Sequence, residues 1–145
     1  MVKEIKLNDE NKDILIELSR KWVLEDISYG IIEDSVDDLK DKRIFVYELD
    51  NKYVGCILAH EDKCKSFNIG SVISDDTDIL VIDSFYVLKD YRSQGIGKAL
   101  FKYVEDLFAK DIVLTTSTKD YEKIFNFYIN EVGMDFHSAL FFKKR

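Results

Sequence analysis

A nearly unbroken apolar strand pattern from Ile79 to Val87 leads into Asp90-Tyr91-Arg92-Ser93-Gln94-Gly95-Ile96-Gly97-Lys98-Ala99-Leu100, and an apolar pattern of helical period leads out of it. A strand, a glycine-bearing loop and a helix in that order place a helix N-terminus at the carboxyl end of a strand, the usual ligand end of α/β folds. The first-turn N–H groups of a helix lack intrahelical partners and carry the positive end of its dipole, so the loop is suited to a phosphate. Arg92 and Lys98 flank it as countercharge, and Gly95 and Gly97 let a ligand approach the backbone.

Two common phosphate loops are excluded by spacing. A Walker A loop needs a hydroxyl residue after its lysine, and Ala99 follows Lys98; the dinucleotide fingerprint needs a third glycine where Leu100 stands. Arg92-x-x-Gly95-x-Gly97 instead resembles the [QR]-x-x-G-x-[GA] signature of the GNAT superfamily of N-acetyltransferases. Phe85-Tyr86-Val87 followed by Lys89 to Arg92 is similar to that family's strand end and pyrophosphate loop. Phe127-Tyr128, followed by Gly133-Met134, resembles its FYxxxGF element, with Met in place of Phe and one extra residue between Tyr and Gly. The likeness covers residues 79 to 136.

The resemblance implies one N-acetyltransferase domain over residues 1–145, of mixed α/β (α+β) class. Its central sheet would be mostly antiparallel, of six to seven strands flanked by about four helices. It implies acetyl-CoA as co-substrate, held by Phe85, Tyr86, Val87, Arg92, Ser93, Gln94, Gly95, Ile96, Gly97 and Lys98. It implies a primary amine of a small molecule or peptide as acceptor, attacking directly in a ternary complex. A main-chain N–H near Val87 would stabilise the oxyanion, and the strand there would splay from its neighbour near Leu114 to Thr116. Tyr121 stands where the family commonly has an asparagine touching the pantetheine arm. A silent acetyl-CoA-binding module of the same fold, or a phosphate-binding domain for another nucleotide, is compatible with the same loop.

Two residues suit the chemistry. Tyr128 matches the family's tyrosine and offers a phenol to protonate the departing thiolate, but it also shares a helical stripe with Tyr121, Ile124 and Phe125, as a core aromatic would. Asp83 is a carboxylate in an apolar strand, on the face of Val81 and Phe85 by period two. It suits a base or amine-binding group, or a structural role at a strand bulge. His60 and His137 have no partner at a metal-ligand spacing, so no metal is expected.

Elsewhere, Val2 to Leu7 reads as a strand, with Asn8 or Asp9 capping a helix that carries Ile14, Leu18 and Trp22. A short helix falls within Asp34 to Lys42. Ile44 to Leu49 and Tyr53 to His60 form a hairpin through Asp50-Asn51-Lys52. Glu61 to Thr77 is a long connection, with a strand extension around Asn68 to Ile73. Ile112 to Thr116 is strand-like.

A formal charge of −7 argues against nucleic acid as a partner and favours cationic guests. Two cysteines, Cys56 in a strand and Cys64 in a polar loop, make neither a disulfide framework nor a zinc site. With no apolar h-region at Met1 to Glu4 and no run long enough to span a bilayer, the expected location is cytoplasmic, away from membranes. The oligomeric state is open, with a homodimer among the candidates.

Overall fold

The computed structural model describes all 145 residues. Strands β1 (Val2–Ile5), β2 (Arg43–Leu49), β3 (Lys52–Lys63), β4 (Asp78–Val87) and β5 (Asp111–Val113) form one sheet in the order β1-β2-β3-β4-β5. The first four pair antiparallel, and β4 pairs with β5 in parallel. Helices α1 (Lys12–Glu25), α2 (Val36–Lys40), α3 (Ile96–Phe108) and α4 (Tyr121–Phe125) complete it. No helix is long and apolar enough to cross a membrane.

Five strands stand where six to seven were expected. Asn68 to Ile73 turns back on itself, with the Val72 and Ile73 amides donating to the Ile69 carbonyl (2.9 and 3.1 Å), and residues 134–145 join no ladder. β5 is only three residues long, too short an edge to template a further strand.

Successive residues of β3 show how the sheet separates two layers. A Cβ on Gly55 would meet Leu100 and Ile96 of α3 at 3.0 and 3.3 Å, whereas Cys56 lies with Leu15, Leu18 and Trp22 of α1. Leu15 is buried and Ile14 half exposed, so the inward stripe of α1 runs through Leu15, Leu18 and Trp22 instead of Ile14. Asn8 does not cap α1. Its side chain accepts the Glu10 and Asn11 amides (both 2.9 Å) and turns the chain into Asn11, the residue that starts the helix. At α2 the Ser35 hydroxyl accepts the Asp38 amide and the Asp38 carboxylate accepts the Ser35 amide, a reciprocal cap. Asp50 and Asn51 both take positive φ (50° and 60°), the backbone of a two-residue hairpin turn.

β3 runs on to Lys63, past the expected His60, and Cys64 is not on a polar loop. It is fully buried beneath the connection, packed with Ile79, Val81, Phe67, Ile69 and Ile73. Cys56 is buried too, and loss of solvent pushes its thiol up to about 12, so neither cysteine is an accessible thiolate.

Candidate functional site

β4 leaves the sheet at Val87 and passes through a 3-10 turn at Lys89–Tyr91 into Ser93 (φ 61°) and Gly95 (φ 80°), the residue just before α3. The first intrahelical bond is Ala99 N–H to the Gly95 carbonyl (3.0 Å), and no side chain caps the helix. The N–H groups of Ile96, Gly97 and Lys98 are thus the unpaired donors of the first turn. The two glycines serve different needs. At Gly95 the surroundings are open and only the backbone conformation demands glycine; at Gly97 a Cβ would press on the Phe127 ring at 3.3 Å. The closeness expected of Gly97 toward a ligand is therefore toward a side chain.

The ladder between β4 and β5 ends at Val81 opposite Val113. Beyond it, the β4 edge from Ile82 to Val87 has no strand beside it, and the sheet opens into a slot beside the uncapped helix. Phe85, Phe127 and Tyr128 stand together along it, with ring centroids 5.2 to 6.3 Å apart. Burial pushes the Tyr128 phenol up to about 12, so it keeps its proton at every physiological pH.

Tyr128 sits on an irregular turn. α4 ends at Phe125 and continues as a π-helical turn over Asn126–Glu131, with Val132 N–H donating to the Phe127 carbonyl (3.0 Å). A π turn holds one residue more than an α turn, and the chain carries one residue more between Tyr128 and Gly133 than the FYxxxGF pattern. The wide turn absorbs the insertion.

Arg92 and Tyr86 do not face the slot. The Arg92 guanidinium forms a fork with the Glu25 carboxylate (2.7 and 2.8 Å), donates to the Val87 carbonyl (2.8 Å) and lies over the Tyr86 ring. The Tyr86 hydroxyl also donates to Glu25, and its ring stacks on Trp22 at 5.5 Å. Countercharge from the Arg92 side chain is thereby committed to α1. The network ties the end of α1 to the end of β4 and braces the loop, leaving Lys98 as the cation next to it in sequence. Burial pushes the Glu25 carboxyl up, yet the bonds from Arg92 and Tyr86 outweigh it and hold it below the usual carboxylate range. Its stabilisation is therefore complete above the ordinary carboxylate range and is lost as pH falls through the lowered folded value. Glu25→Ala should cost about 2 kcal/mol in urea unfolding at pH 7, less than a fully buried pair because Arg92 is one-third exposed. The difference from wild type should shrink toward about pH 3.

Asp83 lies at a break in register. Leu58 pairs with Ser84 and Ala59 with Ile82, so Asp83 is the extra residue of a β-bulge. The bulge turns Asp83 and Ser84 to one side, and Phe85 packs on Phe127 on the other. Period two is broken there, and the expected shared face of Asp83 and Phe85 does not exist. Asp83 Oδ2 lies 2.6 Å from His60 Nδ1 and 3.0 Å from Lys42 Nζ. Sequence reasoning missed both partners: each belongs to another element, and only the strand register brings them together.

Asp83, Ser84 and Lys42 line a cavity of about 410 Å³ with Asp34, Asp37, Asp38 and Asp41. The Asp34 backbone is held to α1 by the Ser19 hydroxyl (2.9 Å). Burial first, and then the Asp38 charge, raises the Asp34 carboxyl above its usual range. Its contribution to stability is thus full below the ordinary carboxylate range and is lost as pH rises through the folded value. Asp34→Asn should raise the melting temperature at pH 7 and leave it unchanged near about pH 3.

A model of the acetyltransferase (GNAT) family matches residues 10–133. The uncharacterized protein YrkN of Bacillus subtilis (strain 168) is 35% identical over 81 residues, 53% of this chain and 43% of that protein. The chain thus aligns with less than half the length of that curated relative. Among solved structures, the aminoglycoside N-acetyltransferase AAC(6')-Iy in complex with CoA superposes with a TM-score of 0.67 at 15% identity, over 100% of this chain and 99% of that one. The ribosomal-protein-alanine N-acetyltransferase of Brucella melitensis biovar Abortus 2308 gives 0.66 at 15%, over 98% and 99%. An aminoglycoside acetyltransferase from an uncultured soil metagenome, in complex with sisomicin, gives 0.64 at 16%, over 100% and 96%. At such identities these structures share the fold.

Proposed function

The chain belongs to the acetyltransferase (GNAT) family, and from that premise we propose that it transfers an acetyl group from acetyl-CoA to a primary amine. The observation that carries this reading is the slot: an uncapped helix N-terminus beside a strand edge with no partner. The N–H groups of Ile96, Gly97 and Lys98 suit the pyrophosphate, and the free β4 edge from Ile82 to Val87 suits the amide-bearing arm. Ser93, Gln94 and Gly95 shape the loop. Phe85, Phe127 and Tyr128 form the apolar wall for the thioester.

In this reading the neutral amine attacks the thioester carbonyl, the C–N bond forms, the C–S bond breaks with its electrons on sulfur, and the amine gives up a proton. A main-chain N–H near Val87 serves the oxyanion. A thiol near ~8.5 faces a phenol at about 12, so outright proton transfer would cost about 5 kcal/mol. Tyr128 acts better as a hydrogen-bond donor that holds charge on the departing sulfur, whose proton then comes from solvent.

The acidic cavity beside Asp83 favours an acceptor with more than one cationic amine, drawn in by Asp34, Asp37, Asp38 and Asp41. Removing one of these charges, as in Asp38→Asn, should raise KM for such an acceptor about tenfold, or ~1.4 kcal/mol, with little change in kcat.

Thermal-shift titration with acetyl-CoA, CoA and ATP tests the cofactor without an acceptor. At a hundred times its dissociation constant a ligand adds about 2.7 kcal/mol, roughly 5 to 10 °C here. A shift with acetyl-CoA and CoA but not ATP supports the reading, and turnover over a panel of spermine, sisomicin and an N-terminal alanyl peptide then separates a transferase from a silent binding module. No shift at millimolar acetyl-CoA sinks it.

A further inference from the structure

We infer that the end of α1 is a brace across the slot, and that Tyr29 and Lys119 are positioning residues that hold the slot open before acetyl-CoA enters. The inference rests on the cofactor half of the transferase reading, and it concerns residues that lie outside the glycine loop.

The slot has two lips. One is the end of β4 with the loop that follows it; the other is the chain over residues 114–119, which leaves β4 after Val113. The end of α1 reaches both through consecutive residues. Glu25 takes the Arg92 guanidinium on the first lip (2.7 and 2.8 Å), and Asp26 takes the Lys119 ammonium on the second (2.6 Å). Asp26 turns the chain at φ 54° and Gly30 turns it again at φ 68°. Between those turns Ser28 forms an antiparallel bridge with Thr118, flanked by two backbone bonds. Tyr29 N–H donates to the Ser117 carbonyl (2.7 Å) and Lys119 N–H to the Ile27 carbonyl (2.8 Å). The Lys119 ammonium also lies over the Tyr29 ring, 5.1 Å from its centroid.

The chain after β5 therefore finds backbone partners on the α1 side instead of along β4. An unpaired strand edge attracts any extended segment, and the nearest one in sequence to β5 is the second lip itself. Without the bridge to residues 27–29, that lip is free to lengthen the β4–β5 ladder and close the slot. The backbone bonds carry most of this restraint. Asp26 has a side chain 83% exposed, so its ion pair with Lys119 adds little. The brace touches no part of the cofactor and acts on the fraction of molecules already open. If that fraction falls to about one-tenth, the apparent affinity falls about tenfold.

Amide exchange followed by NMR, set beside calorimetric titration with acetyl-CoA and urea unfolding, tests this. In the ligand-free wild type the Tyr29 and Lys119 amides should exchange more slowly than those of exposed loops. Lys119→Pro removes the donor to Ile27, and Thr118, being in a β-bridge, has a backbone suited to precede proline. It should abolish the protection of the Tyr29 amide and raise the dissociation constant of acetyl-CoA about tenfold, with the urea midpoint nearly unchanged. With the fastest amine of the panel, KM for acetyl-CoA should rise by the same factor while kcat holds. Tyr29→Pro should repeat the result from the opposite side of the bridge. Lys119→Met, which loses only the side chain's contacts, should weaken binding by less than about threefold. Unprotected Tyr29 and Lys119 amides in the ligand-free wild type overturn the inference, as does an affinity that falls only in step with the urea midpoint. Proline variants that bind acetyl-CoA as wild type does overturn it and spare the transferase. A wild type that binds no acetyl-CoA overturns both.

Discussion

Gly95→Asp is expected to abolish acetyl-CoA binding while leaving the fold in place. The substitution puts a carboxylate at the mouth of the first turn of α3, where the N–H groups of Ile96, Gly97 and Lys98 are uncapped. Aspartate is a favoured helix cap, so it would take up those donors itself and add negative charge at the place proposed for the pyrophosphate. The helix gains a cap worth ~1 kcal/mol, and the positive φ of 80° costs about as much for a residue with a Cβ. The space around Gly95 is open, so no clash adds to that cost. Stability should change by less than about 1 kcal/mol. Affinity should fall by more than about 100-fold, because the loop loses its donors and meets a like charge. The check is the thermal-shift titration set beside urea unfolding of the ligand-free variant. An unchanged acetyl-CoA shift would remove the loop from the binding site.

Tyr128→Phe should lower kcat about 100-fold and leave the acetyl-CoA shift and the urea midpoint nearly unchanged. The ring packs against Phe85 and Phe127, and phenylalanine keeps that packing. No protein group hydrogen-bonds the phenol oxygen, so its removal strands no partner. What disappears is a neutral donor beside the slot, held protonated by burial. A residue that served only as packing would lose nothing. Steady-state release of the CoA thiol, with the fastest amine of the panel, separates the two outcomes.

The features legible from sequence were those fixed by local chemistry. The glycine loop and α3 follow from residue spacing within 20 positions, the Asp50-Asn51 turn from residues that tolerate positive φ, and a short helix within Asp34 to Lys42 was legible without its reciprocal cap, which the structure adds. The illegible features depend on pairing over distance. One extra residue at Asp83 turns Phe85 to the opposite face from the one period two assigns; a bulge is one of the readings that a carboxylate in an apolar strand allows, but nothing in Val81-Ile82-Asp83-Ser84 selects it. Asp83, Lys42 and His60 meet only through the β3–β4 register and the turn after α2, while Glu25 reaches Arg92 across 67 positions. Cys64 reads as polar from its neighbours and is buried because the Phe67 to Ile73 segment folds over it. The strand count was read too high because a strand pattern gives no measure of the edge it must pair with, and β5 offers only three residues.

The free β4 edge has a consequence for how the protein behaves in solution. A row of unpaired N–H and C=O groups invites any extended segment, including the same edge of another molecule. Without ligand, the slot proposed for the pantetheine arm is also the place where two sheets would zip together, and its apolar wall of Phe85 and Phe127 would strengthen the join. The ligand then acts as a detachable strand that seals the sheet. Saturation with acetyl-CoA should suppress clumping on concentration or mild heating, and ligand-free preparations should be the ones that precipitate.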